Sequence, residues 1–321
     1  MPGLRPQPTA KAQPASSTTG LCAVPVGDVY RYVDARGGFA FVGAFRHARP
    51  FHEGLAAAHD GSNWGYLGSD GAWAIAPQFD DAGDFSEGAA AVCLEGGWQL
   101  VDAQGRKTHD RTFAALGSLR KGLAVAAEGD RFGYVDRDGN WCIAPRWDAA
   151  GDFSEGLGLV ERGGHSAFVD PSGAVAALGW HAEAGDFAEG LAPVRDGDYW
   201  GFVNRKGAPC IGAAWQQALP FREGLAAVRS DAGWGFVATD GRVAVVPRWS
   251  RAQGYSEGLA AVQGPTVDGL RWGYVGRDGR LVVPLRLRWA TPMHAGLAVA
   301  CDDNGAVVIN RAGFLVFSAK A

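Results

Sequence analysis

Phe153-Ser-Glu-Gly-Leu157 is the stretch that decides the fold, because close variants of it recur along the whole chain. The variants are Phe51-His-Glu-Gly-Leu55, Phe85-Ser-Glu-Gly-Ala89, Leu119-Arg-Lys-Gly-Leu123, Phe187-Ala-Glu-Gly-Leu191, Phe221-Arg-Glu-Gly-Leu225, Tyr255-Ser-Glu-Gly-Leu259 and Met293-His-Ala-Gly-Leu297. The shared glycine returns six times after 34 residues and once after 38, because four residues are inserted near positions 265–270. A register held over this length predicts a tandem array of about eight units.

The residues inside each unit decide between helices and strands, since pairs of helices can also repeat every 34 residues. The chain has 48 glycines, and prolines recur in Ile75-Ala-Pro77, Ile143-Ala-Pro145, Val246-Pro247 and Val283-Pro284. Inside a helix each Gly would cost about 1 kcal/mol and each Pro about 3 kcal/mol. The array is therefore predicted to be all-β.

One unit, residues 122–153, predicts three short antiparallel strands. Residues 123–127 are apolar, residues 132–136 alternate between two faces, and residues 140–145 form a third run. Asp136-Arg-Asp-Gly139 has the composition of a type I turn closed by a left-handed Gly, which joins the second and third strands. Pro145 cannot donate to a ladder, so the third strand is predicted to end there and to be followed by a connection up to Phe153.

A second landmark follows each shared glycine, and in four copies it is a Trp-Gly pair. The copies read Trp64-Gly65, Trp98-Gln99, Phe132-Gly133, Ser166-Ala167, Trp200-Gly201, Trp234-Gly235, Trp272-Gly273 and Ala306-Val307, with Tyr30 in the same phase upstream. A Gly beside a large aromatic residue in a strand lets a neighbouring backbone or ring approach closely. We interpret the pair as a packing device and its tryptophans as core residues. Together with Glu87-Gly88 and Glu155-Gly156, these pairs form the structural motif of the repeat.

A unit this small cannot bury its aromatic residues alone, so neighbouring units are predicted to stack. We predict an open, curved or superhelical β-repeat array, because propeller blades have four strands and more residues. A closed propeller-like ring is the alternative. Residues 1–26 are predicted to be a disordered tail rich in Pro, Ala and Ser, residues 27–317 a single repeat domain, and residues 318–321 a C-terminal tail.

The combined motifs resemble the WG repeat family of bacterial proteins. The resemblance rests on the Trp-Gly-Tyr/Phe-Val-Asp pattern, the Asp-x-x-Gly turn, the Ile-x-Pro segment and Phe-Ser-Glu-Gly-Leu-Ala-x-Val, and it spans residues 28–317. It is specific at Trp64-Gly65-Tyr66 and Trp200-Gly201-Phe202, and degraded at Ser166-Ala167-Phe168 and Ala306-Val307-Val308. The resemblance implies a β-repeat array used for binding or as an accessory module, and it supplies no catalytic residues.

Charge and cysteine content narrow the class of protein. The net charge of -4 arises from 30 basic and 34 acidic residues mixed along the chain, which argues against nucleic-acid binding. Five cysteines, at positions 22, 93, 142, 210 and 301, lie far apart and outside any CxxC pair, so neither zinc nor a disulfide framework is predicted. No stretch predicts a transmembrane helix or a secretory signal, so a cytoplasmic location is predicted.

A carboxylate stands at the same phase in six copies, namely Glu53, Glu87, Glu155, Glu189, Glu223 and Glu257. Such a series could bind cations or exchange protons. However, an acidic residue before a Gly turn also accepts backbone N–H groups and closes the local loop, and Lys121 and Ala295 interrupt the series without changing the period. We assign these residues to turns and predict no metal, no cofactor and no catalytic residues. An enzyme with an unrecognised site is the remaining alternative.

The turn between the first and second strands varies most from copy to copy. Variation and insertions confined to one edge of a stacked array often mark its binding edge, although exposed turns also tolerate change without any function. We predict a non-catalytic scaffold that binds a protein partner along this edge. The predicted contact residues are Arg131, Arg162, Arg195, Tyr199, Arg229 and Arg271.

Three further tryptophans, Trp147, Trp215 and Trp249, share the predicted connection, where either core packing or exposure is open. Aromatic residues dominate protein cores, so packing is the preferred interpretation. If the three rings were exposed, they would form stacking platforms for a glycan or a cell-envelope polymer. Glycan binding is therefore the alternative function.

Overall fold

The computed structural model describes residues 20–176 and 178–319. Within these ranges every regular element is a β-strand, which confirms the all-β prediction. No helix long and apolar enough to cross a membrane occurs there. The chain divides into two compact units. The first unit holds the described residues up to Gly163 with Val169–Ala174, and the second holds Gly164–Phe168 with the described residues from Val175 onward.

Antiparallel sheets of two to four strands build the first unit. Its strands are β1 (Cys22–Val26), β2 (Val29–Val33), β3 (His47–Ala48), β4 (Ala56–His59), β5 (Trp64–Leu67), β6 (Trp73–Phe79), β7 (Asp81–Ala82), β8 (Ala89–Leu94), β9 (Gly97–Asp102), β10 (Ala115–Leu116), β11 (Ala124–Glu128), β12 (Arg131–Val135), β13 (Trp141–Trp147), β14 (Ala149–Ser154) and β15 (Leu157–Arg162). The boundary between the units falls within β16 (His165–Val169).

The second unit repeats a four-stranded sheet in the order of the chain. Its strands are β17 (Glu183–Ala184), β18 (Leu191–Asp196), β19 (Tyr199–Asn204), β20 (Pro209–Trp215), β21 (Gln217–Ala218), β22 (Leu225–Ser230), β23 (Gly233–Ala238), β24 (Val243–Trp249), β25 (Arg251–Ala252), β26 (Ala260–Thr266), β27 (Gly269–Val275), β28 (Leu281–Leu287), β29 (Trp289–Ala290), β30 (Leu297–Asp302), β31 (Gly305–Asn310) and β32 (Leu315–Ser318).

Four strands make up this repeated sheet, one more than the sequence predicted. The short strand β21 pairs with β22, β22 with β23, and β23 with β24, all antiparallel. The additional short strand lies in the segment that was predicted to be a connection. The three-stranded prediction is therefore wrong, and so is the reason for preferring an open array over a closed ring, because propeller blades also have four strands.

The predicted tail boundaries also differ from the structure. Strand β1 pairs with β2 from Cys22↔Val33 to Val26↔Val29, so residues 22–26 belong to a hairpin. Its middle residue, Val24, is fully buried, which explains why a segment interrupted by Pro25 is still ordered. Near the other end, Ser318 lies in β32 and the Ala319 amide donates to the Ala306 carbonyl oxygen at 2.8 Å. The rest of the two predicted tails, residues 1–19 and 320–321, lies outside the described residues.

In each repeat that contains the proline, the strand that was predicted to be the third continues past the position of the proline, where the sequence predicted the end of the strand. Strand β13 reaches Trp147, and the register shifts between the pairs Phe132↔Trp147 and Tyr134↔Ile143, which leaves Pro145 in a β-bulge. A bulge tolerates proline because it takes the residue out of the ladder. Equivalent register shifts occur in the pairings of β6, β20, β24 and β28.

The glycine of the Trp-Gly pair lies so close to this bulge that no side chain fits. A Cβ atom on Gly235 would lie 2.5 Å from the Val245 carbonyl oxygen and 2.6 Å from the Pro247 nitrogen. On Gly65 it would lie 2.6 Å from the Ile75 carbonyl oxygen. The predicted role of the pair, close approach of a neighbouring backbone, is confirmed.

The hydrophobic core lies between consecutive sheets of a unit. In the second unit one cluster joins Phe236 and Trp249 of one sheet to Tyr255 and Val262 of the next. An aromatic pair recurs in this core: a ring in a strand of one sheet packs against the anchor aromatic of the following repeat, with centroids 4.7–5.1 Å apart. The pairs are Tyr32–Phe51, Tyr66–Phe85, Tyr134–Phe153, Phe168–Phe187, Phe202–Phe221 and Phe236–Tyr255.

The shared Glu-Gly dipeptide forms a two-residue hairpin turn. The φ angles of the residues at the Glu position lie between 50° and 56°, and the following glycines are also left-handed, as a type I′ turn requires. The turn preceding β8 is closed by hydrogen bonds between the backbones of Ser86 and Ala89, at 2.8 and 3.2 Å. The predicted left-handed glycine of the Asp136 turn is confirmed as well, since Gly139 has a φ of 73°.

The carboxylate of this turn binds the next repeat and not its own loop. Glu53 accepts the backbone N–H groups of Glu87 and Gly88 at 2.7 and 2.8 Å. In the second unit Glu223 accepts those of Glu257 and Gly258 at 2.5 and 2.8 Å. We call this contact the turn-to-turn bond. The prediction of a turn role is confirmed, but the prediction that the loop is local is wrong, because the acceptor and the donors lie 34 or 35 residues apart.

Replacing Gly235 with alanine should destabilise the protein by about 1–3 kcal/mol, because the new Cβ would force the bulge backbone to move. Equilibrium unfolding in urea measures this loss. Gly212→Ala is the matched control in β20, where a Cβ atom would meet no neighbour within 4 Å. The control should change stability by less than about 0.5 kcal/mol. Equal losses in the two variants would contradict the assigned role.

Glu257→Gln should remove part of the acid dependence of stability. Burial raises the pKa of Glu257, but hydrogen bonds from Arg311 and the Gly296 amide outweigh burial and lower it below its ordinary value. A lowered folded pKa stabilises the protein above the pKa of the unfolded chain, and this stabilisation is lost as the pH falls through the folded pKa. The stability difference between wild type and variant should therefore shrink on acidification in urea unfolding. Glu128→Gln, at an exposed end of β11, is the control, and a difference that stays constant with pH would overturn the assignment.

Candidate functional site

A cleft of about 690 Å³ lies in the second unit and spans three consecutive sheets. Three indoles line it, those of Trp200, Trp234 and Trp272. The remaining lining residues are Gln217, Ala218, Leu219, Arg229, Ser250, Arg251, Ala252 and Gln253. We call this site the tryptophan cleft. Its size is within the range of clefts that hold small ligands or a few side chains of a partner.

The repeat itself positions the three indoles. Each one lies in the third strand of its sheet, directly before the glycine that faces the bulge. Trp234 is opposite Arg229 on one side and Trp249 on the other. Each indole is half-buried, because part of it packs against a core cluster. In the second unit these tryptophans therefore pack partly against the core, as predicted, and also line the cleft.

Two of the three tryptophans of the predicted connection are more deeply buried than those of the Trp-Gly pairs. Trp147 is 2% exposed and Trp249 is 6% exposed, while Trp215 is half-buried. Trp147 and Trp249 end the strands β13 and β24, and the guanidinium of Arg248 lies 4.6 Å from the Trp249 ring centroid. The preferred interpretation, core packing, agrees with this burial. Neither Trp147 nor Trp249 offers an open face for stacking a sugar.

In the first unit, the predicted contact residues are already engaged with neighbouring side chains. Arg131 forms an ion pair with Asp148, whose carboxylate also accepts the Gly163 amide at 2.7 Å. The guanidinium of Arg162 lies 5.6 Å from the ring centroid of Trp147. Trp64 and Trp98 of the structural motif are half-buried, and Gly156 has the left-handed φ of the turn, as do Glu155 and Gly88.

In the second unit, only Arg229 of the predicted set lines the tryptophan cleft. Arg195 is in an ion pair with Glu183 at 2.6 Å. Arg271 pairs with Asp303 at 3.3 Å, and a hydrogen bond from Arg288 lowers the pKa of that carboxyl. Tyr199, at the start of β19, is 50% exposed and is not part of the lining. The other arginines of the predicted set thus make separate local contacts within their own unit.

Sequence reasoning missed Arg251 and the other polar lining residues that lie in or beside the short strands β21 and β25. These are Gln217, Ser250 and Gln253. The available signal was a variable position two residues after the tryptophan of the predicted connection, which reads Gln217 and Arg251 in these copies. Recognising that segment as a strand would have placed both residues opposite the end of the following strand.

The described residues contain no group of three His, Cys, Asp or Glu side chains arranged to hold a metal ion. In that part of the chain the cysteines are free thiols, and burial raises the pKa of Cys22 to about 12. A thiol with a raised pKa is a poor nucleophile at neutral pH. The residues that line the tryptophan cleft offer apolar contact with indoles, hydrogen bonding to amides and pairing with guanidinium groups.

Comparison with known sequences identifies one family. The family model described as "WG containing repeat" matches residues 64–98, 132–164, 183–200, 200–232, 234–263 and 272–305, which is more than half of the chain. No curated protein matches the sequence.

Comparison with solved structures identifies a shared fold. A structure described as the crystal structure of the eukaryotic initiation factor matches with a TM-score of 0.64 and 11% identity, over 93% of this chain and 95% of its own. Dihydro-heme d1 dehydrogenase NirN in complex with DHE has a TM-score of 0.49 and 12% identity, over 87% and 75% of the two chains. Hsv2 of Kluyveromyces lactis has a TM-score of 0.39 and 11% identity, over 80% and 90%. At these identities the likeness to the first structure concerns the fold alone.

Trp249→Ala should destabilise the protein by about 3–5 kcal/mol, because a large buried ring would leave a cavity between two sheets. Trp289→Ala, at a ring that is 39% exposed, is the control and should cost less than half as much. Thermal and urea unfolding of both variants provide the measurement. Similar losses at the two sites would show that burial does not separate them.

Proposed function

Because the chain belongs to the WG repeat family and has a cleft in its second unit, we propose that it is a non-catalytic scaffold that binds a protein partner. The proposed contact surface is the tryptophan cleft, together with the neighbouring turns of the same unit. This position refines the predicted edge, since Arg229 is the member of the predicted set that lines the cleft.

One observation carries the proposal: residues that repeat are used by the scaffold, and the polar residues that line the cleft beside the three repeated indoles differ between copies. The carboxylate of the Glu-Gly turn accepts hydrogen bonds from amides of the next repeat, and the glycine of the Trp-Gly pair leaves room for the backbone of the bulge. By contrast, the position of Gln217 is Glu183 one repeat earlier and Arg251 one repeat later. Variation on a constant framework is typical of binding surfaces in repeat proteins.

A second candidate function, glycan binding, is favoured by the three indoles of the cleft. Aromatic faces stack on sugar rings, and Trp200, Trp234 and Trp272 keep part of their surface open. This candidate no longer draws on Trp147 and Trp249, which are buried. The capture experiment described next distinguishes glycan binding from protein binding.

Ser250→Trp should reduce capture of a protein partner about tenfold, because a large ring at an exposed position would fill the cleft without entering the core. Affinity capture with the full chain, followed by quantitative mass spectrometry, compares the variant with the wild type. Ser62→Trp, at an exposed turn of the first unit, is the matched control and should capture the same proteins as the wild type.

Equal capture by both variants would contradict a binding role for the tryptophan cleft. If a glycan array binds the wild type but not Ser250→Trp, and capture depends on removable sugars, the second candidate replaces the first. Unfolding curves of both variants establish that each retains its fold.

A further inference from the structure

One cross-strand position of the repeat changes charge from sheet to sheet. It joins the first residue of the short strand to a residue near the end of the following strand. In the sheet β17–β20 the pair is Glu183↔Arg195, and the two side chains form an ion pair at 2.6 Å. Opposite charges directly across an antiparallel pair stabilise it modestly and leave no net charge.

In the next two sheets this cross-strand pair contains an arginine but no carboxylate. The pairs are Gln217↔Arg229 and Arg251↔Gln263, so each arginine is opposite a neutral amide. Within the described residues neither guanidinium forms an ion pair or a side-chain hydrogen bond. Both residues are exposed, and both line the tryptophan cleft.

The lining of the cleft adds no negative charge beside these two arginines. None of the described residues that line the cleft is Asp or Glu. This local excess of positive charge stands against a net charge of -4 for the chain. Guanidinium groups that line a cleft together with aromatic rings are suited to carboxylates because they can bind them through two parallel hydrogen bonds.

We propose that the tryptophan cleft binds an acidic peptide segment, with carboxylates paired to Arg229 and Arg251 and an apolar side chain against the indoles. The proposal rests on the proposed scaffold function and specifies the chemistry of its partner. Trp200, Trp234 and Trp272 supply the apolar contacts, and Leu219, 36% exposed, adds to them. Aromatic and arginine side chains are the residues that most often dominate binding energy at protein interfaces.

Charge and size favour this occupant over two others. Residues 1–19 of the chain carry Arg5 and Lys11 and no acidic residue, so they do not complement the cleft. Nucleic acids require several phosphate contacts for useful affinity, whereas the cleft offers two guanidinium groups on an acidic protein. A volume of about 690 Å³ is sufficient for a few side chains of an extended peptide.

The test uses the full chain and fluorescein-labelled peptides in fluorescence anisotropy. The probe alternates Glu and Leu, and its neutral counterpart alternates Gln and Leu. The Glu peptide should bind about tenfold more tightly than the Gln peptide, and its affinity should fall as salt is added. The double variant Arg229→Gln/Arg251→Gln should lose this preference. Arg242→Gln, which alters an exposed arginine outside the cleft, is the matched control and should retain it.

Gln217→Glu gives a sharper test because it keeps both guanidinium groups. It restores the carboxylate that Glu183 provides one repeat earlier, so Arg229 should pair internally and affinity for the Glu peptide should fall severalfold. Unchanged affinity in this variant, or equal binding of the Glu and Gln peptides, would overturn the proposal. Tighter binding of a hyaluronan fragment or an oligodeoxythymidine than of the Glu peptide would also overturn it.

The outcomes for the two proposals are distinguishable. If Ser250→Trp abolishes partner capture while the Glu peptide shows no preference over the Gln peptide, the scaffold function stands and the acidic-peptide inference fails. If neither partner capture nor peptide binding responds to any cleft variant, both fail.

Discussion

The turn-to-turn bond is the directional interaction that holds consecutive turns in register wherever the turn carries a glutamate. Apolar contacts between sheets are non-directional, whereas two hydrogen bonds from one carboxylate to two consecutive amides define both distance and orientation. They also compensate a cost, because a glutamate with a φ near 50° is in a region that side chains with a Cβ usually avoid. The insertion near residues 265–270 lengthens the hairpin of β26 and β27, and Glu257 still accepts the Gly296 amide at 2.8 Å. The bond thus tolerates a change in chain length that does not move the turns.

Several features of the fold could be predicted from the sequence because they are local or periodic. The repeat, three of its four strands, the left-handed Gly139 and the close approach at the Trp-Gly pair all follow from residue type and spacing. The role of Pro145 could not be read in the same way, because a proline that ends a strand and one that lies in a bulge have the same local sequence. The partner of Glu223 was also hidden, since a unit considered alone offers its own loop amides and not those of Glu257 and Gly258.

The site was less predictable than the fold, for a physical reason. A strand of two residues has no alternation to detect, so the segment carrying Gln217 and Arg251 resembled a connection. Without that strand, the tryptophans before it were assigned to a connection and those of the Trp-Gly pairs to the core. With the strand in place, Trp249 lies under the next sheet and Trp234 lies at the cleft. Variable turns remained a useful guide, since they led to Arg229.

The turn-to-turn bond also makes the N-terminal and C-terminal sides of a repeat different. A repeat provides the acceptor for the turn that follows and receives its own acceptor from the turn before, as Glu223, Glu257 and Gly296 illustrate. Loss of the following repeat leaves a carboxylate in water, where it is well solvated. Loss of the preceding repeat leaves two amides without their acceptor and a left-handed residue without compensation. A repeat whose preceding turn carries a glutamate therefore depends more on its predecessor than on its successor, whereas the turn that follows Lys121 receives no such carboxylate.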